Sequence, residues 1–156
     1  MSKSVKRVEA ALAAAGLPGS VIEMAGNCTT AQAAAETLGV TVDQIAKSVL
    51  LLGRESEKMY LFLTAGTLQV DPDAAQALTG EPLDRPGAAR IRKDTGFAIG
   101  GVSPIGHLCP VVAFIDPRLF DFETVWAAAG TPRHVFESEP NALMRAASAQ
   151  RAPFAT

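Results

Sequence analysis

Two stretches of the 156-residue sequence carry groups able to do chemistry. Lys47 stands directly before the apolar run Ser48-Val49-Leu50-Leu51-Leu52, where a compact fixed cation can hold a phosphate or a polarised carbonyl oxygen. Taken alone it reads as a lysine snorkelling from the rim of a sheet, and its position gains meaning only in combination. The second stretch is Gly100-Gly101-Val102-Ser103-Pro104-Ile105-Gly106-His107. Adjacent glycines let a ligand approach the main chain, and Pro104 stiffens the turn, so backbone N–H and C=O groups become the reactive equipment. No Gly-Lys-Ser/Thr follows it, so it is not a phosphate-binding P-loop, and by itself it is an ordinary turn.

Other constellations compete. Ala31, Ala34, Leu38, Gly39, Val40 and Ile45 have the spacing of a helix-turn-helix, which would make the chain a DNA-binding regulator. Its second helix would present Asp43 and Gln44 with Lys47 as the lone cation, and would have to run on into Val49-Leu50-Leu51-Leu52. Two capped helical turns leading into a strand fit charge and period better. His107, Cys109, His134 and Cys28 are metal-ligand types without the spacing of a compact zinc module. Gly101-Val102-Ser103-Pro104-Ile105 lacks the second glycine of a nucleophile elbow.

The elements that must position these groups follow from capping and periodicity. Ser4 is the expected cap of a first helix, with Val5, Val8 and Leu12 on one face and Gly16 and Pro18 at its end. Val21 to Met24 reads as a short strand, and Thr29 with Gln32 as a capping box opening a helix through Leu38, stopped by Gly39. Thr41 caps one further turn to Ala46, which puts Lys47 at a helix-to-strand junction. Ser48–Leu52 and Met59–Leu63 read as a hairpin around the polar turn 53–58. Asp71 or Asp73 opens a short helix closed by Gly80, with Ala74, Ala75 and Leu78 inward. Ala88–Arg92, Val111–Ile115, Thr124–Ala128 and His134–Phe136 read as strands. Asn141–Gln150 reads as a last helix, with about eight terminal residues fraying. The mixture predicts α+β or irregular α/β architecture, with one sheet in a single domain over residues 1–156.

Composition removes whole classes. Lys and Arg total 14 against 16 Asp and Glu, a formal charge of −2, so a polyanion would have to meet a local basic patch. Arg85, Arg90, Arg92 and Lys93 form the best one. Two cysteines without paired spacing do not make a disulfide scaffold and suit a reducing cytoplasm. The longest strongly apolar run, Val49–Leu52, is far short of the twenty or so residues of a membrane helix. Neither a membrane nor duplex DNA is expected as a partner.

Taken together, Thr29-Thr30-Ala31-Gln32-Ala33-Ala34, Leu38-Gly39-Val40, Gln44-Ile45-Ala46-Lys47-Ser48 and the Gly100–His107 loop resemble the YbaK/prolyl-tRNA editing family. These proteins are free-standing relatives of the editing insertion domain of bacterial prolyl-tRNA synthetase, and the likeness runs from Val5 to about Leu143. It implies a mixed, largely antiparallel and partly barrel-like sheet surrounded by helices. It implies trans-editing: hydrolysis of the ester joining a small wrong amino acid to the terminal adenosine of tRNA for proline. The family works with positioned water and the substrate's own groups, without metal, cofactor or enzyme nucleophile. The aminoacylated acceptor end is the partner, and prolyl-tRNA synthetase is a second candidate partner.

By the resemblance, Lys47, Gly100 and Gly101 are the catalytic positions, and Val102, Ser103 and Pro104 complete a GxxxP loop. Met24, Thr30, Ser48 and His107 are polar or pocket neighbours. Met24 stands where members that clear cysteine carry an aromatic residue, and the His134–Glu137 region lacks an aspartate found in them, so cysteine specificity is not implied. A fold-retaining module that binds aminoacyl-tRNA without turnover remains an alternative. The reading requires the Lys47 ammonium and residues 100–104 to close around one acyl linkage from the same side of the sheet.

Overall fold

The computed structural model describes residues 2–17, 20–26 and 28–156; the expected Pro18 stop lies outside them. Helix α1 spans Lys3–Ala14, capped by Ser2 rather than Ser4: the Ser2 hydroxyl accepts from Val5 N–H at 3.1 Å. Ser4 Oγ instead donates to Gly96 O at 3.4 Å, fastening the helix to a distant loop. Val5, Val8 and Leu12 form the buried stripe. Strand β1 (Ile22–Glu23) precedes α2 (Ala31–Leu38). Thr30, one residue later than expected, caps α2 through its hydroxyl, and Gly39 ends it at φ 71° in the left-handed region that glycine tolerates.

Val42–Gln44 form a single 3₁₀ turn, with Gln44 Oε1 accepting from Thr41 N–H at 3.1 Å, and β2 (Ile45–Gly53) begins at once. No second helix exists here for a helix-turn-helix. Lys47 is therefore the third residue of a strand, not a junction residue. β2 pairs antiparallel over seven positions with β3 (Met59–Ala65). Their connecting turn is clasped by Glu81, whose carboxylate accepts from Glu55 N–H, Ser56 N–H, Ser56 Oγ and Tyr60 Oη at 2.6–3.0 Å.

Asp71 caps α3 (Pro72–Thr79), and β4 (Leu83–Asp84) returns to the end of β2. The expected strand Ala88–Arg92 is helix α4 (Ala88–Thr95). Gly87 and Gly96 bracket it, Ile91 and Thr95 share its buried face at i,i+4, and Arg90 pairs with Asp94 at 2.8 Å at the same spacing. After β5 (Val112–Ile115), a 3₁₀ turn at Pro117–Asp121, β6 (Val125–Ala128) and β7 (His134–Ser138), helix α5 covers only Pro140–Ala146. The terminal residues, expected to fray, are paired and packed. Gln150–Arg151 form β8 beside β5, Phe154 is buried, and Ala155 bridges to Val70.

The architecture is mixed α/β with one eight-stranded sheet among the described residues, ordered β1-β7-β6-β2-β3-β5-β8, with β4 paired to β2. The sheet is open, correcting the barrel-like expectation: β1 and β8 are ends that never meet. Antiparallel pairs are interleaved with the parallel pairs β2–β6, β3–β5 and β5–β8.

Alternation along β2 divides the core. Ala46 and Leu50 enter the main cluster with Leu61, Leu63, Val102, Ile105 and Phe97, under α1 and α4. Val49 and Leu51 turn to a second cluster in which Phe62 stacks on Phe114 at 5.2 Å and meets Phe154 edge-on at 5.0 Å. A third, smaller cluster of Met24, Ala34, Ala35, Ile45 and Val135 seats α2.

Candidate active site

Among the described residues, β2 has a continuous neighbour only in β3. On its other side β6 pairs with it through Ala46, and β4 takes over at Leu52, so the middle of the strand faces a cleft of about 1120 Å³. Ligand pockets are commonly roughly 300–1000 Å³, so this one accommodates more than a free amino acid. One wall is the start of α2 with Met24 and Thr30, another is Gly100 and Val102, a third is Trp126, Thr131, Pro132 and His134, and Lys47, Thr67 and Arg85 stand on the remaining side.

Lys47 belongs to the Val49 and Leu51 face of β2, opposite Thr64 of β3. Its ammonium donates to Leu68 O at 2.6 Å. Burial pushes its pKa below the ordinary lysine value, while the charges of Asp43 and Asp116 pull it back up. Asp43 lies nearby and accepts from Thr67 N–H, Thr67 Oγ1 and Arg118 Nε. Burial pushes its carboxyl up, but those hydrogen bonds outweigh it and hold the group below the usual carboxylate range. The cation is thus attached to a segment that is itself fixed by the C-terminus: Gln69 and Thr156 exchange hydrogen bonds at 2.9 Å, and Asp71 N–H donates to Phe154 O at 2.7 Å.

The glycine loop divides in two. Gly100, at φ 91°, lines the cleft; an added Cβ would stand 3.3 Å from Pro132 Cγ and 3.8 Å from Thr29 Cγ2. Gly101 is a packing position: its Cβ would lie 2.6 Å from Thr131 Cα and 2.8 Å from Gly130 C, and its N–H is consumed by Ala98 O at 3.0 Å. Among the described residues, the N–H groups of Gly100 and Val102 have no protein acceptor.

Ser103, Pro104 and Ile105 are buried. Ser103 Oγ accepts from Ile105 N–H at 3.3 Å, and His107 Nε2 donates to Ser103 O at 2.7 Å. Burial, aided by the positive charge of Arg7, holds the His107 pKa below its usual value. Arg7 of α1 ties Gly106 O and Gly96 O at 2.9 and 2.8 Å and lies 4.8 Å over the Phe97 ring. Of the residues expected at the site, Gly101, Ser103, Pro104 and His107 therefore stand behind it, because the second half of the loop must be anchored to α1 for Gly100 to be held in place.

Lys47, Gly100, Met24, Thr30, Ser48 and Val102 do line one cleft. Lys47 lies on the Val49 and Leu51 face of β2 and Val102 packs with Ala46 and Leu50 on the other, while Gly100 lies beside Thr29 and Pro132. They share the cleft because it forms at an interrupted edge, open to both faces.

The wall residues Trp126, Thr131, Pro132 and His134 are absent from the expected site. His134 Nδ1 lies 2.6 Å from Thr131 Oγ1, and its Nε2 lies 3.6 Å from a Glu23 carboxylate oxygen. The second turn motif, Gly130-Thr131-Pro132, was the signal available for them. The basic cluster splits: Arg85 lines the cleft, whereas Arg90 is occupied by Asp94 and Glu57. Among the described residues no three His, Cys, Asp or Glu side chains converge as metal ligands.

The sequence model of the aminoacyl-tRNA editing domain matches residues 25–146. The chain belongs to that family. YwhH of Bacillus subtilis (strain 168), an uncharacterised protein, is 31% identical over 79% of this chain and 78% of its own length. A crystal structure of a candidate trans-editing enzyme for prolyl tRNA synthetase superposes with a TM-score of 0.93 at 39% identity, covering 100% of this chain and 99% of that one. The hypothetical protein APE2540 superposes at 0.89 with 25% identity, over 96% and 99% of the two chains. The match to the editing domain spans α2, β2, the glycine loop and the His134 wall, and so takes in all of the cleft lining except Met24.

Proposed function

We propose that this editing domain is a trans-acting aminoacyl-tRNA deacylase that removes a small wrong amino acid from tRNA for proline, in the cytoplasm. The supporting observation is the shared cleft, with a restrained cation on one side and a glycine loop with unspent N–H groups on the other.

An aminoacyl ester is already activated, so holding the carbonyl, a water and the ribose in register supplies much of the acceleration. Water adds to the acyl carbon, the bond to the ribose oxygen breaks, that oxygen takes a proton, and the amino acid leaves as a carboxylate. The Gly100 and Val102 N–H groups steady the negative oxygen that develops. Lys47, together with Arg85, serves the phosphate next to the terminal adenosine rather than the acyl oxygen, in keeping with its position across the strand from Val102. The neighbouring Met24, Trp126 and Val135 shape the space for the amino acid side chain.

The test is a panel of tRNA for proline charged with alanine, cysteine, serine, 2-aminobutyrate or proline, with release of each followed in time. Faster release of at least one non-proline amino acid, slowed at least about tenfold in Lys47→Ala, is expected. Tight binding with an unchanged ester half-life would make the protein a sequestering module, and a parental rate in Lys47→Ala would remove the lysine from the mechanism.

A further inference from the structure

The interrupted edge of β2 carries its own recognition chemistry. In a strand, alternate residues turn both N–H and C=O toward the same neighbour. Gly53 N–H donates to Lys58 O on the β3 side, and Arg54 N–H to Pro82 O on the β4 side. Even-numbered residues of β2 therefore face away from β3. Ala46 is taken by β6 and Leu52 by β4, which leaves Ser48 and Leu50 with their backbone groups directed into the cleft. No strand pairs with either of them on that side among the described residues. A second observation falls at the same place: Ser48 Oγ is shielded from solvent and has no hydrogen-bond partner among the described residues. Buried polar atoms are ordinarily paired, so an orphan in a cleft wall marks a place that a ligand completes.

The register indicates which ligand. β6 runs parallel to β2, with Ile45 opposite Trp126 and Ala46 opposite Ala127, and stops at Ala128. In a parallel pair, one residue donates its N–H to the C=O of one partner residue and accepts at its C=O from the N–H two positions on. The unit that would continue the ladder opposite Val49 needs a donor for Ser48 C=O and an acceptor for Leu50 N–H. Phosphate offers acceptors only and a sugar edge has no fixed carbonyl, whereas an α-amino acyl group has both, one on each side of its Cα. The opening admits one such unit, because Ser48 and Leu50 lie only roughly 7 Å apart along the strand.

We propose that the edge at Ser48 and Leu50 is a main-chain recognition site for the α-amino acyl group, which pairs with β2 as a single residue in the register of β6, two positions past its end. Its ammonium donates to Ser48 C=O, its carbonyl accepts from Leu50 N–H, and the Ser48 hydroxyl gains its partner when the group is bound. Recognition of this kind reads the amino acid backbone and is blind to its side chain, which is left to the Met24 and Trp126 wall. The proposal rests on the editing reading above for the identity of the ester.

Binding separates the two. The probes are 3′-amino-3′-deoxyadenosine carrying either L-alanine or propionic acid in amide linkage, which are not hydrolysed and differ in the α-ammonium alone. Binding of the alanyl compound at least about tenfold tighter than the propionyl one is expected, with the advantage reduced in Ser48→Ala and restored in Ser48→Thr. Thermal stability of Ser48→Ala should equal or exceed that of the parent, since an unpaired buried hydroxyl is removed. Equal affinity for the two compounds in the parent protein overturns the inference, whatever the deacylation panel shows. A preference for the alanyl compound with no release from any charged tRNA sinks the hydrolytic reading and leaves the subsite standing.

Discussion

Replacing Gly101 by alanine tests the division of the glycine loop into a working half and a supporting half. The added Cβ would lie 2.6 Å from Thr131 Cα, 2.7 Å from Thr131 N and 2.8 Å from Gly130 C. All three are backbone atoms, so no side chain can swing aside. Reaching an ordinary contact of about 3.4 Å requires the two segments to part by roughly 0.8 Å. Overpacking of this kind costs about 1–3 kcal/mol. For a chain of this length that is a fall in melting temperature of roughly 2–12 °C. The displacement also moves Gly100 away from Pro132 and Thr29, and misplacement by about 1 Å can cost on the order of a hundredfold in rate. Deacylation of mischarged tRNA should therefore drop about 10–100-fold at a temperature where the variant is fully folded. Differential scanning calorimetry and initial rates read the two effects separately. A variant with parental melting and parental rate would refute the packing role given to residue 101.

Two other expectations concern stability and how it reaches the site. Hydrogen bonds from the Ser56 side chain and backbone, followed by that from Tyr60, outweigh burial and lower the Glu81 pKa from 4.5 to about 2. Because the folded value is the lower one, the stabilisation is present above pH 4.5 and is lost as pH falls toward 2. The urea midpoint of the parent should thus exceed that of Glu81→Gln at pH 7 and converge on it in acid; a difference independent of pH would contradict the clasp. Phe154→Ala removes the edge contact with Phe62 and empties a buried site, at about 3–5 kcal/mol. It also loosens the pairing of Thr156 with Gln69, next to the carbonyl that holds Lys47, so KM for charged tRNA should rise in protein shown by circular dichroism to be folded. An unchanged KM would dissociate the C-terminus from the lysine.

Elements governed by local rules were legible from the residues alone. The stripe Val5, Val8 and Leu12, the glycine stops at Gly39 and Gly80, and the hairpin Ser48–Leu63 are set by caps, periodicity and turn chemistry within a few positions of each other. Where local signals competed, long-range contacts decided. Ala88–Arg92 has enough small and β-branched character to pass for a strand, but burial of Ile91 and Thr95 on one face makes Ala88–Thr95 a helix. Gln150–Phe154 appear terminal and expendable until β5 and Phe62 offer a partner.

The candidate site follows the same division. Residue type and spacing drew attention to Lys47 and Gly100 but, taken alone, read as a snorkelling lysine and an ordinary turn; the likeness to the editing family marked them, with Ser48, as site positions. Type and spacing were silent on which side of β2 each group works, on the supporting role of Gly101, Ser103, Pro104 and His107, and on the wall made by Trp126, Thr131, Pro132 and His134. Those features depend on where β6 stops and β4 begins beside β2. That is a property of strand order, which the hydrophobic pattern of one strand does not encode; only the assembled sheet opens the cleft.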